Sequence, residues 1–330
     1  MNFKPKVIST FAGCGGSSLG YHLAGYEELL AIEWEDDAAS TFKMNFPNIP
    51  VWQRDISKVT SDEILSFCGL DVGELDVFDG SPPCQGFSIT GKRKVSDDRN
   101  DLFRDYAHLI DGLKPKVFIM ENVSGMTKGN MKGKFNIVLR HLKSLGYSVK
   151  CKLVNSMFYG VPQNRDRLIF IGIRNDLGIS PSFPPHNSEP ISFYSACHDL
   201  RGNDDDDRIL PEIIKKYAAI HPGGWNTDFN IYKSIKGNCA GAISLKWLDW
   251  SRVCGTIVKS EISVSGIVHP DKERYISLAE AKRIGSFPDD FKFTNRKKGI
   301  ERIGNSVPPL LMKAIAGHVK NNILTKISHQ

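Results

Sequence analysis

Cys84 stands behind two prolines in the run Gly80-Ser81-Pro82-Pro83-Cys84-Gln85-Gly86-Phe87-Ser88, directly after the apolar-acidic stretch Leu75-Asp76-Val77-Phe78-Asp79. Two prolines fix two φ angles and remove two backbone donors, while Gly86 lets the chain turn away, so the thiol is predicted on a stiff loop at a strand end. That placement suits a nucleophile; the other reading of a single free cysteine is a small buried apolar residue. A following predicted strand, Val117-Phe118-Ile119-Met120, runs into Glu121-Asn122-Val123. A carboxylate would then emerge beside the thiol at one sheet edge, unless Glu121 caps a helix instead. Before a further strand, Leu168-Ile169-Phe170-Ile171-Gly172-Ile173, comes Pro162-Gln163-Asn164-Arg165-Asp166-Arg167. Arg165 and Arg167 occupy alternate positions and are predicted to point the same way, either to bind a polar substrate edge or to form surface ion pairs.

The elements that would position these groups begin at the N-terminus. A strand from Val7 leads into Phe11-Ala12-Gly13-Cys14-Gly15-Gly16-Ser17-Ser18-Leu19-Gly20, followed by a helical stretch through Leu23. Glycines there permit close backbone approach, and free amides at the helix start receive an anionic group such as a carboxylate. The spacing is not the dinucleotide pattern GxGxxG, and such turns also serve only to pack a helix on a sheet. The next strand, Leu29-Leu30-Ala31-Ile32, ends at Glu33-Trp34, an acid suited to ribose hydroxyls and a ring able to cover an adenine. A third candidate at Val51-Trp52-Gln53 leads to Asp55-Ile56, a carboxylate for an exocyclic amine with an aliphatic neighbour. Strand-helix alternation predicts a parallel sheet whose carboxyl ends line one crevice.

Composition bounds the class. The 330 residues, 41% hydrophobic, suffice for one large domain or two modest ones. Lys and Arg exceed Asp and Glu, 43 against 37, a net charge of +6 that is compatible with a polyanionic partner and too mild to demonstrate one. Seven cysteines without a CxxC pair indicate neither a disulfide framework nor a familiar zinc spacing, and fit a reducing cytosol. No apolar run approaches the roughly 20 residues that span a bilayer, and the N-terminus leads straight into a strand, so a soluble, unexported protein is expected.

In order along the chain, these blocks resemble the DNA (cytosine-5)-methyltransferase family. The FAGxGG loop lies at 11–16, then come Glu33-Trp34, Asp55, Pro83-Cys84-Gln85, Glu121-Asn122-Val123, the QxRxR block ending at Arg167, and Gly304-Asn305-Ser306-Val307-Pro308-Pro309. They span nearly the whole chain; only the stretch near 252–258 matches its block loosely. The resemblance implies an α/β fold: a Rossmann-like, mostly parallel sheet with helices on both faces, binding S-adenosylmethionine and releasing S-adenosylhomocysteine. It carries cofactor contacts onto Phe11, Gly13, Gly15, Gly16, Glu33, Trp34, Asp55, Ile56, Pro83, Leu102, Asn305, Ser306 and Val307, and catalytic roles onto Cys84, Glu121, Arg165 and Arg167. Cytosine C5 is a poor nucleophile until a thiolate adds at C6, after which the ring behaves as an enamine and C5 can take a methyl group. Cys84 would be that thiolate, Glu121 would bond the N3 and amino edge of the base, and Arg167 would contact O2.

The target base must leave the duplex, so double-stranded DNA is the expected partner and a loop is expected to cover the flipped base. That loop is placed at 87–100, where Lys92, Arg93, Lys94 and Arg99 supply charge; Gln85 and Ser88 join it as DNA contacts. Between about 176 and 275 the alternation gives way to scattered prolines, glycines and aromatics. This predicts a small irregular target-recognition domain inserted in a catalytic domain formed by 1–175 and completed by 276–330. Lys236, Trp247 and Arg252 are candidate DNA-facing residues, and Asp204-Asp205-Asp206-Asp207 must face away from phosphates. Ser277 with Glu280 forms a capping-box pattern, and a last helix is predicted over roughly 310–324. A monomer in the cytoplasm is expected, with a cognate restriction endonuclease as a separate partner if the chain is half of a restriction-modification pair. A tRNA-directed relative shares these blocks but typically carries a Cys-Phe-Thr segment, absent here. A silent DNA-binding module would not need intact Cys84, Glu121 and Arg167. A nicotinamide dehydrogenase would leave the Pro-Pro-Cys block unexplained.

Overall fold

The structure is a computed structural model and describes residues 3–83, 102–127, 132–200, 209–210, 212, 215, 246–257, 267–271 and 273–327. Cys84, Gln85, Ser88, Lys92, Arg93, Lys94, Arg99, the acidic run at 204–207 and Lys236 lie outside the described residues. Contacts divide the chain into two compact units: Met1–Asn155, Asp166–Pro185 and Met312–Gln330 form one, and Ser156–Arg165 with His186–Leu311 form the other.

The first unit is built on a seven-stranded sheet. Its strands are β1 (Lys6–Thr10), β2 (Glu27–Ile32), β3 (Val51–Trp52), β4 (Val77–Gly80), β5 (Val117–Val123), β6 (Tyr147–Asn155) and β8 (Asp166–Arg174), in the order β3-β2-β1-β4-β5-β8-β6. The pairs from β3 through β5 are parallel, whereas β8 runs antiparallel to both β5 and β6. Covered on both faces, the central strands carry nearly continuous apolar runs: Val117, Phe118, Ile119 and Met120 are wholly buried, as are Ile169, Phe170 and Ile171. The helices are α1 (Gly16–Leu23), α2 (Asp36–Asn45), α3 (Ser61–Cys68), α4 (Leu102–Leu113) and α5 (Lys132–Ser144). On α4, Phe103, Tyr106, Ala107, Ile110 and Leu113 recur at helical spacing and are all buried. Strand β6 is absent from the sequence expectation, although Tyr147 and Val149 are buried while Ser148 and Lys150 between and after them are exposed, the signature of a half-covered strand. The predicted fold class holds.

In the second unit the elements are short. β7 (Gln163–Asn164) pairs with β10 (Cys254–Gly255), and β9 (Lys246–Trp247) with β11 (Ile267–Val268). Helices α6 (Phe193–Cys197), α7 (Leu278–Ile284) and α8 (Arg296–Asn305) complete it. The capping box at the start of α7 forms as predicted, with Glu280 N donating to Ser277 Oγ and Ser277 N to Glu280. Burial acts to raise the Glu280 pKa, but Arg274, His269 and the Ser277 amide overcome it and bring the group down to about 2. Trp247 is not DNA-facing: it is 4% exposed and packs with Leu210 and Val268 in the core of this unit. The chain rejoins the first unit at Met312, inside α9 (Pro309–Val319), rather than near 276, because α7 packs against α6 and α8 within the second unit. After α9 the helix widens into a π turn over Lys320–Leu324.

Among the described residues no helix is long and apolar enough to cross a membrane. No group of three or more His, Cys, Asp or Glu among them is arranged to hold a metal ion.

Candidate active site

The strand-to-helix turn after β1 is held open by backbone conformations that glycine favours. Gly13 has φ 58°, and a Cβ there would meet no atom within 4 Å, so the turn presents bare backbone. Gly15, with φ 95°, caps α1; a Cβ on it would collide with the Phe46 ring. Glu33, at the end of β2 and 7% exposed, reaches across to this turn: Gly13 N donates to Oε2 at 2.7 Å, and Trp34 N and Glu35 N both donate to Oε1 at 2.9 Å. Burial pushes the Glu33 carboxyl above its ordinary value, while these three N–H groups pull it down. Oε2 keeps a second lone pair for a hydroxyl donor. Beside it the Trp34 residue is 68% exposed, a large apolar face without cover. Asp55 Oδ1 accepts Ser57 N at 3.0 Å, and Ile56 is buried next to it. Phe11 and Leu102 are half-buried and pack against the core.

The catalytic edge lies at the carboxyl end of β5. The strand runs on through Glu121, Asn122 and Val123, so Glu121 is a strand residue and not a helix cap. In the antiparallel register Val123 faces Arg167, which makes Glu121 and Arg167 diagonal neighbours on one face. Arg167 Nε lies 2.6 Å from Glu121 Oε1, with the two side chains 11% and 12% exposed. Asn122, buried between them and the chain to the nucleophile, donates Nδ2 to Pro82 O at 3.0 Å. Pro82 precedes Cys84 by two residues, and Pro83 is half-buried. The predicted thiol is thus approached by a strand end that Asn122 braces from the neighbouring strand.

The two alternate arginines do not converge. Arg165 belongs to the second unit, is 1% exposed, and donates to three main-chain carbonyls: Ile257 O at 2.7 Å, Gly304 O at 2.7 Å and Ser306 O at 2.9 Å. Two of these flank Asn305, which is exposed, and precede Val307, which is buried. Gln163 extends the brace, with Oε1 accepting Ile257 N at 3.1 Å and Nε2 donating to Ile284 O at 3.2 Å. Arg252 is exposed, 4.0 Å from Asp249. Sequence reasoning names Asn122 and Gln163 only as motif letters; the signal that they brace the site is a polar side chain buried in a motif that offers it no water.

The family model for C-5 cytosine-specific DNA methylase matches residues 5–321. The type II methyltransferase M.XorII of Xanthomonas oryzae is 31% identical over 371 residues, covering 98% of this chain and 86% of its own. M1.HphI of Haemophilus parahaemolyticus is 32% identical over 323 residues, covering 94% and 85%. Among solved structures, a putative DNA modification methyltransferase encoded within a prophage of E. coli superimposes with TM-score 0.78 at 26% identity, covering 98% of this chain and 100% of the other. DNMT2 of Spodoptera frugiperda, with TM-score 0.71, 20% identity and 98% and 100% coverage, shares the fold.

Proposed function

Because this chain belongs to the C-5 cytosine-specific DNA methylase family, we propose that it methylates a flipped-out cytosine within a short duplex sequence through a covalent bond from Cys84 to C6. The enzyme is a DNA (cytosine-5)-methyltransferase, and its cofactor is S-adenosylmethionine. The cradle fits that molecule: Gly13 gives open backbone, Glu33 retains acceptor capacity for ribose hydroxyls, and Trp34 offers an uncovered ring for the adenine. Asp55, Ile56, Phe11 and Leu102 of the same unit would complete the contacts there. When bound, S-adenosylmethionine supplies the methyl group that C5 receives.

The chain's own residues prepare and then release the base. Cys84 Sγ, as thiolate, forms the bond to C6, the electron pair of the C5–C6 double bond shifts between C4 and C5, and the C4–N3 pair moves onto N3, which leaves C5 as the nucleophilic carbon of an enamine. Glu121 holds the N3 and amino edge, where charge develops, and Arg167 holds O2. Each exchanges the other's charge for an edge of the base, so the pair keeps both groups aimed and desolvated before the base arrives. After transfer the C5 proton leaves, the ring double bond re-forms, and Sγ departs with its electron pair. The observation that carries this reading is the Glu121–Arg167 pair at 2.6 Å on the strand whose Asn122 braces Pro82.

Methylation of unmethylated genomic DNA, read at single-base resolution after incubation with S-adenosylmethionine, tests it: 5-methylcytosine confined to one short motif is the expected result. Transfer to tRNA alone would overturn the substrate, and inactivity on both nucleic acids would overturn the activity. Relatives named type II methyltransferases support a further reading. In it the chain modifies the sites of a restriction endonuclease, a separate protein, and works as a cytoplasmic monomer.

A further inference from the structure

Asp79 takes no part in the steps above, yet it is a carboxyl 4% exposed in β4, the strand from which the chain continues to Cys84. A central parallel strand covered on both faces calls for aliphatic side chains, and an acid there persists only if bonds hold it. The bonds at Asp79 come from β1 and α1, the elements that flank the cofactor turn. Tyr21 of α1, wholly buried, donates its hydroxyl to Asp79 Oδ1 at 3.0 Å. Ser17, one turn earlier on the same helix, stands near enough for its hydroxyl to draw the carboxyl's pKa down. Thr10, the last residue of β1, donates Oγ1 to Asp79 O at 2.9 Å. The next residue leaves no slack, since a Cβ on Gly80 would lie 2.5 Å from both Thr10 Oγ1 and the Tyr106 ring. Burial, with the nearby carboxyls Glu28 and Glu121, pushes the Asp79 pKa well up, against the pull of Tyr21 and Ser17.

We propose that Asp79 is a positioning residue for methyl transfer: through Tyr21 it locks α1, whose N-terminal turn forms the cofactor cradle, to the strand that leads to Cys84. Cofactor turn and nucleophile strand then keep one register. The inference rests on the reading of that turn and that thiol given above.

The test uses the full chain with three single variants and one double: Tyr21→Phe, which removes only the donor; Asp79→Asn, which keeps an acceptor without charge; Asp79→Leu, which removes both; and Tyr21→Phe combined with Asp79→Leu. KM for S-adenosylmethionine, KM for DNA and kcat are measured, with S-adenosylmethionine affinity by calorimetry and thermal unfolding in parallel. Loss of a buried bond of this kind predicts about a tenfold rise in KM and Kd for S-adenosylmethionine in Tyr21→Phe and Asp79→Leu. KM for DNA should stay within about twofold, and the double variant should be no worse than the poorer single one. Asp79→Asn should restore the wild-type pattern. A folded Tyr21→Phe protein with unchanged KM, Kd and kcat overturns the proposal, as does an Asp79→Asn protein as impaired as Asp79→Leu. Should the wild type bind S-adenosylmethionine but transfer no methyl group, the activity reading fails while calorimetry still decides the role of Asp79.

Discussion

Arg167 Nε and Glu121 Oε1 sit 2.6 Å apart across the antiparallel β5–β8 ladder, both side chains almost nine-tenths buried. A pair held this way is aimed by two strands at once, and neither member can be removed without leaving the other charge out of water. Glu121→Gln, which keeps size and one acceptor, should therefore lower single-turnover methyl transfer by about 100- to 1,000-fold. Arg167→Met should add a loss of about 3 kcal/mol in stability, read from denaturant midpoints.

Cys84→Ala is expected to abolish transfer and leave DNA binding intact. A duplex carrying 5-fluorocytosine makes the distinction directly: without a C5 proton to lose, the thioether cannot be released. The wild type should give an adduct stable to denaturation and Cys84→Ala none.

Arg165 acts on backbone rather than on a base. Its three carbonyl partners stand at 257, 304 and 306. Arg165→Lys replaces a planar fork by one ammonium that cannot reach all three, and should cost about 2–4 kcal/mol of unfolding free energy. Denaturant midpoints of Arg165→Lys and wild type, compared at equal m, check it.

Glu28 supplies a pH signature. It accepts Ser18 Oγ at 2.9 Å, and burial raises its pKa to about 7 despite the pull of the Ser9 and Ser18 hydroxyls. With an unfolded value near 4.3, the folded chain holds the extra proton between these limits. Stability from this group is thus complete below about pH 4.3 and is lost as pH rises through about 7. Glu28→Gln removes the dependence, so its stability relative to wild type should grow by a few kcal/mol between about pH 5 and 8.5. Equal denaturant midpoints for the two proteins across that range would refute the assignment.

Much of this site is legible in the residues alone, for identifiable reasons. Gly13, Glu33 and Trp34 stand out because they follow strands whose apolar runs are unambiguous, Glu121 because it breaks such a run inside β5, and the α1 bounds follow from its glycine cap. Arg165 misleads because alternation along a strand puts Arg165 and Arg167 on one face, whereas Asp166 begins β8 and Gln163–Asn164 pair elsewhere, with β10. Strand β6 escapes notice because only half of it is covered, and the α7 and α8 segments misplace the boundary because helix propensity does not say which body a helix packs on.

The grip of Arg165 has a consequence for how this protein can drift. All three of its strong partners are main-chain oxygens, which every amino acid provides alike. Positions 257, 304 and 306 can therefore change their side chains without altering what the guanidinium holds, whereas no other residue can stand at 165 and hold it. Variation in the surrounding segments is silent to the clamp; variation of the clamp is felt at every one of them.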